Sequence, residues 1–504
     1  MLMLLSYSYV SPVIPGGWAY GSWQTYQGNL DYTGRQALRG NLSVGRFVVR
    51  SDTFVVGYVH NTAVQPTILP FAQNTFIITL HHIFRYVENN RLDTTHNFGP
   101  DNFAHIFIVS KWQGSYLEVF GYKKLGENLE EGALTGYDID TVLGRLSNSH
   151  LLGSGVCSES YPIPAIDDVN GDSLVELVHA INKSFGSYYR RGIAALRRPG
   201  FMLWFSVEDT STFCEPIQAL TSSDIDGDGI KEILFLETCP EGFRRVVALS
   251  GLDGSIEWKG ENRIYNPLPK YGYPLVMTDD INNDGYKEAI VILDKVYVYD
   301  HGGNLLWDRD LGFAMTWNGA VGDIDRDGVV EILAYSGYNI YALDGRNGNI
   351  KWSKFLGYDS PVSGSGINIA DIDPTPGYEV LVPLRMEGLK VLDANGNLLW
   401  DYRGGQLYGF SVGDADGDGC SEIVGVEDET GDYRFRVFVI DALSNTGNCG
   451  SSLEVLEDRE DKAPLEGKIY DISGRLIKVG DLKGLKRGIY FIKGKGGIRK
   501  VEVR

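Results

Sequence analysis

The sequence is short of the features that mark several large protein classes. Positive charge is scarce: 46 Lys and Arg stand against 66 Asp and Glu, a formal net charge of −20. Phosphate backbones are held by Lys and Arg, so no nucleic acid is expected as a partner. No run approaches the ~18 unbroken apolar residues of a membrane helix, so no membrane span is expected. Cysteines are few. Cys157, Cys214, Cys239, Cys420 and Cys449 form no CxxC pair and no zinc spacing, and no two are adjacent. Cys214 and Cys239 flank one repeat and are the candidate disulfide pair; an odd count leaves at least one thiol over. Residues 1–22 lack a basic segment ahead of their short apolar run. They read either as a weak or truncated signal or leader, or as an ordinary first strand.

What is present is glycine, 62 residues, with 29 tyrosines and a hydrophobic content of 43%. Rich Gly with Tyr, Val and Ile argues for many short strands joined by tight turns. The length of 504 residues suits a large repeat domain followed by a small one.

One acidic stretch recurs. In "SSDIDGDGIKEI" the residues Asp224, Asp226, Asp228 and Glu232 occupy positions 1, 3, 5 and 9 of a loop with Gly229 at position 6. The spacing returns at Asp168, Asn170, Asp172 and Glu176, and at Asp280, Asn282, Asp284 and Glu288. It returns again at Asp323, Asp325, Asp327 and Glu331, and at Asp414, Asp416, Asp418 and Glu422. A sixth copy, Asp371 to Glu379, is degraded: Thr375 replaces the third acid and Pro376 the glycine. The first positions lie 56, 56, 43, 48 and 43 residues apart. A period of ~40–50 residues is that of β-propeller blades.

A hairpin pattern recurs in phase with the loops and ends at Trp258, Trp307, Trp352 and Trp400. Each copy is an alternating apolar strand, a Gly- or Asn-rich turn and a second strand. These tryptophans are expected to fill the space between neighbouring sheets. The expected fold is all-β: a seven- or eight-bladed β-propeller followed by a small C-terminal β-domain.

Carboxylates this close repel one another unless a cation lies among them. Oxygens from positions 1, 3, 5 and 9, with the carbonyl at 7 and a sharp turn at Gly 6, can surround one point. Hard oxygen donors in this number suit Ca²⁺; Mg²⁺, which demands stricter octahedral geometry, is second, and Zn²⁺ would want His or Cys. About five Ca²⁺ are therefore expected, the degraded loop keeping its shape but holding metal poorly. A lone acidic turn would need no such explanation, since Asp, Asn and Gly are good turn residues.

The Asp-x-Asp-x-Asp-Gly-x-x-Glu-Ile loops resemble the FG-GAP (VCBS-type) repeats of integrin-like β-propellers, and "ALDGRNGNIKW" resembles the hairpins of pyrroloquinoline-quinone-type propellers. The resemblance places a propeller over 23–446, with "WQTYQGNLDYTGR" at 23–35 similar to a leader seen before secreted bacterial propellers. A charged linker follows at 447–466. Residues 467–504 are similar to the second half of the C-terminal sorting domain of the type IX secretion system. The matching residues are Tyr470, Asp471, Gly474, Arg475, Leu476, Leu485, Gly488, Tyr490, Phe491, Lys500 and Val501. This resemblance implies export to the medium or the outer cell surface, with the secretion machinery as a partner.

The function expected is that of a calcium-binding binding or adhesion module for an extracellular protein or polysaccharide. The alternatives are a propeller-based polysaccharide lyase or hydrolase, or a structural surface component. No catalytic residue stands out. His81 and His82 lie in an apolar run and read as structural. Quinoprotein dehydrogenases typically carry adjacent cysteines over their cofactor, and this chain has none.

Overall fold

The computed structural model describes residues 35–36, 40–42, 46–55, 66–71, 74–79, 82–87, 91–97, 105–110, 117–124, 132–140, 145–154, 165–172, 174–184, 189–197, 201–206, 220–238, 243–260, 264–265, 276–312, 319–359, 366–428, 434–442, 449, 467–471, 476–480, 488–494 and 497–503. All regular structure among them is strand. The chain divides into two compact units, Met1–Ser451 and Ser452–Arg504.

Among the described residues of the first unit, eight sheets follow one another, built mainly from antiparallel neighbours in chain order; Arg35–Gln36 adds a parallel edge strand to the seventh, beside Asn368–Ala370. The sixth is typical. Strand Ala320–Gly322 runs into the acidic loop, Glu331–Ser336 returns from it, and Asn339–Asp344 and Ile350–Phe355 form the Trp hairpin. The first two strands are buried throughout and the last is exposed or half-exposed along its length, as expected for sheets stacked face to face with one outer edge. From the third sheet to the seventh, and from the first to the second, first strands of successive sheets pack together. The second meets the third through Arg145–Ser154 and Glu176–Ser184, and the seventh meets the eighth through Glu379–Leu384 and Gln406–Gly413. Gln406–Gly413 also meets Thr67–Phe71 of the first, so the series closes on itself. This is a β-propeller.

The eighth sheet is completed from the other end of the sequence. It contributes Gln406–Gly413, Glu422–Asp428 and Arg434–Ala442, and its outer strand is Arg46–Arg50, paired antiparallel with residues 438–442. Tyr86 of the first sheet donates to Asp441 of the eighth at 3.0 Å.

The core lies between sheets. One cluster joins Val178 and Ala195 to Phe235 and Val247, and another joins Leu234 and Val246 to Ala289 and Val291. Each such buried Val, Leu or Phe side chain contributes about 1.5–3 kcal/mol. The tryptophans act where the sequence places them. Trp307 donates its indole N–H to the carbonyl of Gly345 at 2.9 Å, and Trp352 to that of Ala394 at 2.9 Å, each in the next sheet's hairpin. The ring lies against a left-handed glycine there: a Cβ on Gly348 would come within 2.7 Å of Trp307, and one on Gly396 within 2.8 Å of Trp352. Trp204, absent from the sequence series, does the same with Gly251 and Gly254. Trp400 is covered instead by the Arg46 guanidinium, 4.0 Å from its ring centre.

The second unit is a four-stranded antiparallel sheet ordered Leu476–Gly480, Gly467–Asp471, Gly488–Gly494, Gly497–Val503. Its register sets Tyr470 opposite Phe491, Asp471 opposite Tyr490 and Tyr490 opposite Val501. Residues 1–22 and Cys214 and Cys239 lie outside the described residues. The disulfide that is described joins Cys420 to Cys449, a pairing that the sequence reading did not name.

Candidate metal centres

Each acidic loop links the first strand of a sheet to the second and is shaped by its own backbone N–H groups. In the loop at 224–232, Asp224 accepts from the N–H of Gly227 at 2.8 Å and Gly229 at 3.0 Å. Asp226 accepts from Asp228 at 3.1 Å, and Asp228 from Ile230 at 2.7 Å. Glu232 opens the second strand and turns back to accept from Ile225 at 2.9 Å. The loop at 414–422 repeats all five bonds at 2.6–3.1 Å.

Two positions are left-handed. Gly at position 6 has φ of 89° at Gly229, 94° at Gly285 and 87° at Gly328 and Gly419. Position 4 is also left-handed, which the sequence reading missed: Gly227 has φ of 75°, Asn283 63° and Arg326 60°. Such φ values cost a side chain of ordinary shape about 1–2 kcal/mol, so Arg326 stands where glycine or asparagine fits better.

The folded loops bring together one carboxylate oxygen each from Asp414, Asp416, Asp418 and Glu422, all within 4.8 Å of one another. The same holds for Asp168, Asp172 and Glu176, for Asp224, Asp226 and Glu232, and for Asp323, Asp325 and Glu331. Asp228 and Asp327 fall outside these sets, although they cap the N–H of residue 7 as Asp172 and Asp418 do. In the loop at 280–288, Asn282 bridges the acids, its amide nitrogen 2.8 Å from Glu288 and 2.9 Å from Asp284. Asn170 accepts from Asp172 at 3.1 Å.

Burial and crowding raise the acids. Glu232 and Glu288 are pushed up to about 8, first by burial and then by neighbouring aspartates. Burial lifts Asp416 to about 7, and Glu422 well above the usual range. Glu257, on the outer strand beside the loop at 224–232, is raised by burial and by Asp226 and Asp228. Glu331 and Glu176 reach about 7, burial being offset by Lys351 and by Arg197 respectively. A divalent cation among these oxygens would favour the ionised forms. The donors are hard oxygens without His or Cys, a set that fits Ca²⁺ or Mg²⁺. In two of the loops the chain itself brings a cation to these acids, Lys351 at 323–331 and Arg197 at 168–176.

The degraded loop keeps part of the pattern. Glu379 accepts from the N–H of Ile372 at 2.8 Å and of Asp373 at 3.2 Å, while Thr375 donates to Asp373. The chain between residues 40 and 42 passes beside it: Gly40 donates to the Asp371 carbonyl at 2.6 Å and Leu42 to that of Ile372 at 2.8 Å. A Cβ at Gly40 would lie 2.7 Å from the carbonyl oxygens of Ile372 and Ser421. His82 is buried with its ring 5.7 Å from Phe84; His81 lies outside the described residues.

No family model matches the chain, and no curated protein matches it. Solved structures do. A europium-containing methanol dehydrogenase superposes with a TM-score of 0.53 at 11% identity, over 84% of this chain and 98% of that one. The quinohemoprotein alcohol dehydrogenase of Comamonas testosteroni gives 0.54 at 10% identity, over 83% and 80%. That of Pseudomonas putida HK5 gives 0.50 at 12% identity, over 84% and 80%. At these identities the likeness is one of fold, and it agrees with the propeller read from the sheets.

Proposed function

We propose that the chain is an exported, calcium-binding β-propeller that serves as a binding or adhesion module for an extracellular protein or polysaccharide. The observation that carries the calcium reading is the convergence of Asp414, Asp416, Asp418 and Glu422 in a cage whose backbone N–H groups already hold the carboxylates in place. Export is supported by the Cys420–Cys449 disulfide, a bond that persists in oxidising compartments. It is supported too by the second unit, where the residues similar to a type IX sorting domain pair across strands. A binding role is supported by grouped aromatic rings at the sheet ends opposite the acidic loops. Tyr358, 81% exposed, meets Tyr338 and Phe355 edge-on, with ring centres 5.3 and 5.1 Å away. Exposed apolar side chains gathered in one place mark an interaction surface.

The test is elemental analysis of the purified protein with thermal melting before and after chelation, followed by glycan and protein arrays comparing the protein with its Tyr358→Ala variant. Bound calcium, a melting point lowered by chelation and an array signal lost in the variant are expected. A metal-free protein indifferent to chelator would refute the calcium role, and arrays without any signal would refute the binding role.

A further inference from the structure

The acidic loops differ in whether the chain supplies a cation of its own. At 323–331 the Lys351 ammonium lies 3.0 Å from Asp325, 3.3 Å from Asp327 and 2.7 Å from Glu331. At 168–176 the Arg197 guanidinium lies 2.6 Å from both Asp172 and Glu176. At the degraded loop, Arg326 reaches over from the preceding loop to Asp371 at 2.7 Å, its guanidinium 4.8 Å from the Tyr378 ring centre. Among the described residues, no Lys or Arg forms an ion pair with the metal-set acids of the loops at 224–232 or 414–422, nor with Asp280, Asp284 or Glu288 of the loop at 280–288, where the neutral Asn282 amide bridges Asp284 and Glu288.

The difference has a structural source. Each Trp hairpin carries a β-bulge just before its tryptophan: Trp352 pairs with Ala342, but Ile350 pairs with Leu343, leaving Lys351 as the extra residue. A bulge re-aims the side chain it frees. The same register shift frees Glu257 in the fourth sheet, Leu306 in the fifth and Leu399 in the seventh. One position on one strand therefore presents to successive loops an acid, an apolar group, an ammonium and an apolar group. Arg197 acts from the third strand, one residue beyond Leu196, which pairs with Leu177 beside Glu176.

We propose that Lys351 and Arg197 are built-in counter-ions which close two of the five intact loops to calcium, so that the chain binds three ions, at 224–232, 280–288 and 414–422. This rests on the calcium reading given above. Two monovalent side chains would do locally what divalent ions do at the other loops, and the bulge residue would set which loops are open.

The test is to strip the full chain with chelator, return it to excess Ca²⁺, remove free ion and count bound calcium by elemental analysis. Three ions per chain are expected. Any other non-zero count overturns the proposal and leaves the calcium reading standing; a count of zero overturns that reading as well. Lys351→Glu is expected to raise the count by one and Glu257→Lys to lower it by one. A count unchanged in folded Lys351→Glu overturns the role given to the bulge. Should Glu257→Lys not fold, the wild-type count and Lys351→Met, also expected to gain one ion, decide alone.

Discussion

The loops at 224–232 and 323–331 share four backbone hydrogen bonds, a left-handed fourth and sixth residue and a buried glutamate, yet they stand in opposite electrostatic settings. Beside the first, Glu257 adds a carboxylate; into the second, Lys351 brings an ammonium. The backbone N–H groups shape the cage in both cases, so its form does not depend on what fills it. On the proposal above, occupancy would be set by a residue that belongs to another strand. A repeated motif can thus be faithful in backbone geometry while differing in its charged neighbours from copy to copy.

Removing calcium is the strongest way to break this comparison. At a thousandfold excess over Kd each ion contributes about 4 kcal/mol, so chelation is expected to lower the melting temperature of the wild-type protein by roughly 10 °C or more. Scanning calorimetry with and without chelator checks this, and equal curves would dissolve the distinction between open and closed loops. Matched substitutions come next. In calcium, Asp226→Asn is expected to cost about 3–4 kcal/mol through loss of an ion. Asp325→Asn leaves Lys351 two other partners and is expected to cost about 1 kcal/mol or less, as for a partly exposed pair. Denaturant melts of the two variants give the difference directly.

A smaller effect is expected from Lys351→Met. Without metal it strands the buried Glu331, costing about 1–3 kcal/mol; added calcium should restore the loss, which a purely structural lysine would not allow. The smallest effect is in pH. The folded, metal-free protein holds Glu232 and Glu288 near 8, above the ordinary glutamate value of 4.5. Between those values the folded state binds more protons than the unfolded, so stability falls as pH rises from about 5 to 8. Chelator-treated protein melted across that range should show the decline, and calcium-loaded protein should show it weakly or not at all.

Much of the fold was legible because its signals are local. The acid spacing, the Gly at position 6 and the Trp hairpins each sit within about a dozen residues, and the tryptophans pack between sheets as expected. Long-range relations were not legible. The Lys351 that fills one cage lies 20 residues beyond Glu331, and only strand register shows that Glu257 occupies its place in another sheet. The left-handed fourth position is hidden because Asn283 and Arg326 stand there in two copies. Cysteine spacing alone does not give connectivity, and Cys420–Cys449 ties the last acidic loop to the chain beyond the eighth sheet.

The outer strand Arg46–Arg50 of the eighth sheet bears on how the molecule comes into being. Its hydrogen-bond partners, residues 438–442, are made nearly four hundred residues later. This early strand must therefore wait, unpaired, until almost the whole propeller has emerged. Contacts this distant in sequence form slowly, because the intervening chain must first lose its freedom. A chain threaded across a membrane from its beginning could not complete the eighth sheet until residue 442 had crossed, which gives an export pathway a long interval in which to act on a still open ring. Clipping the chain just after Arg50 would, by the same token, leave the ring's seam held by a strand no longer tied to the sheet beside it.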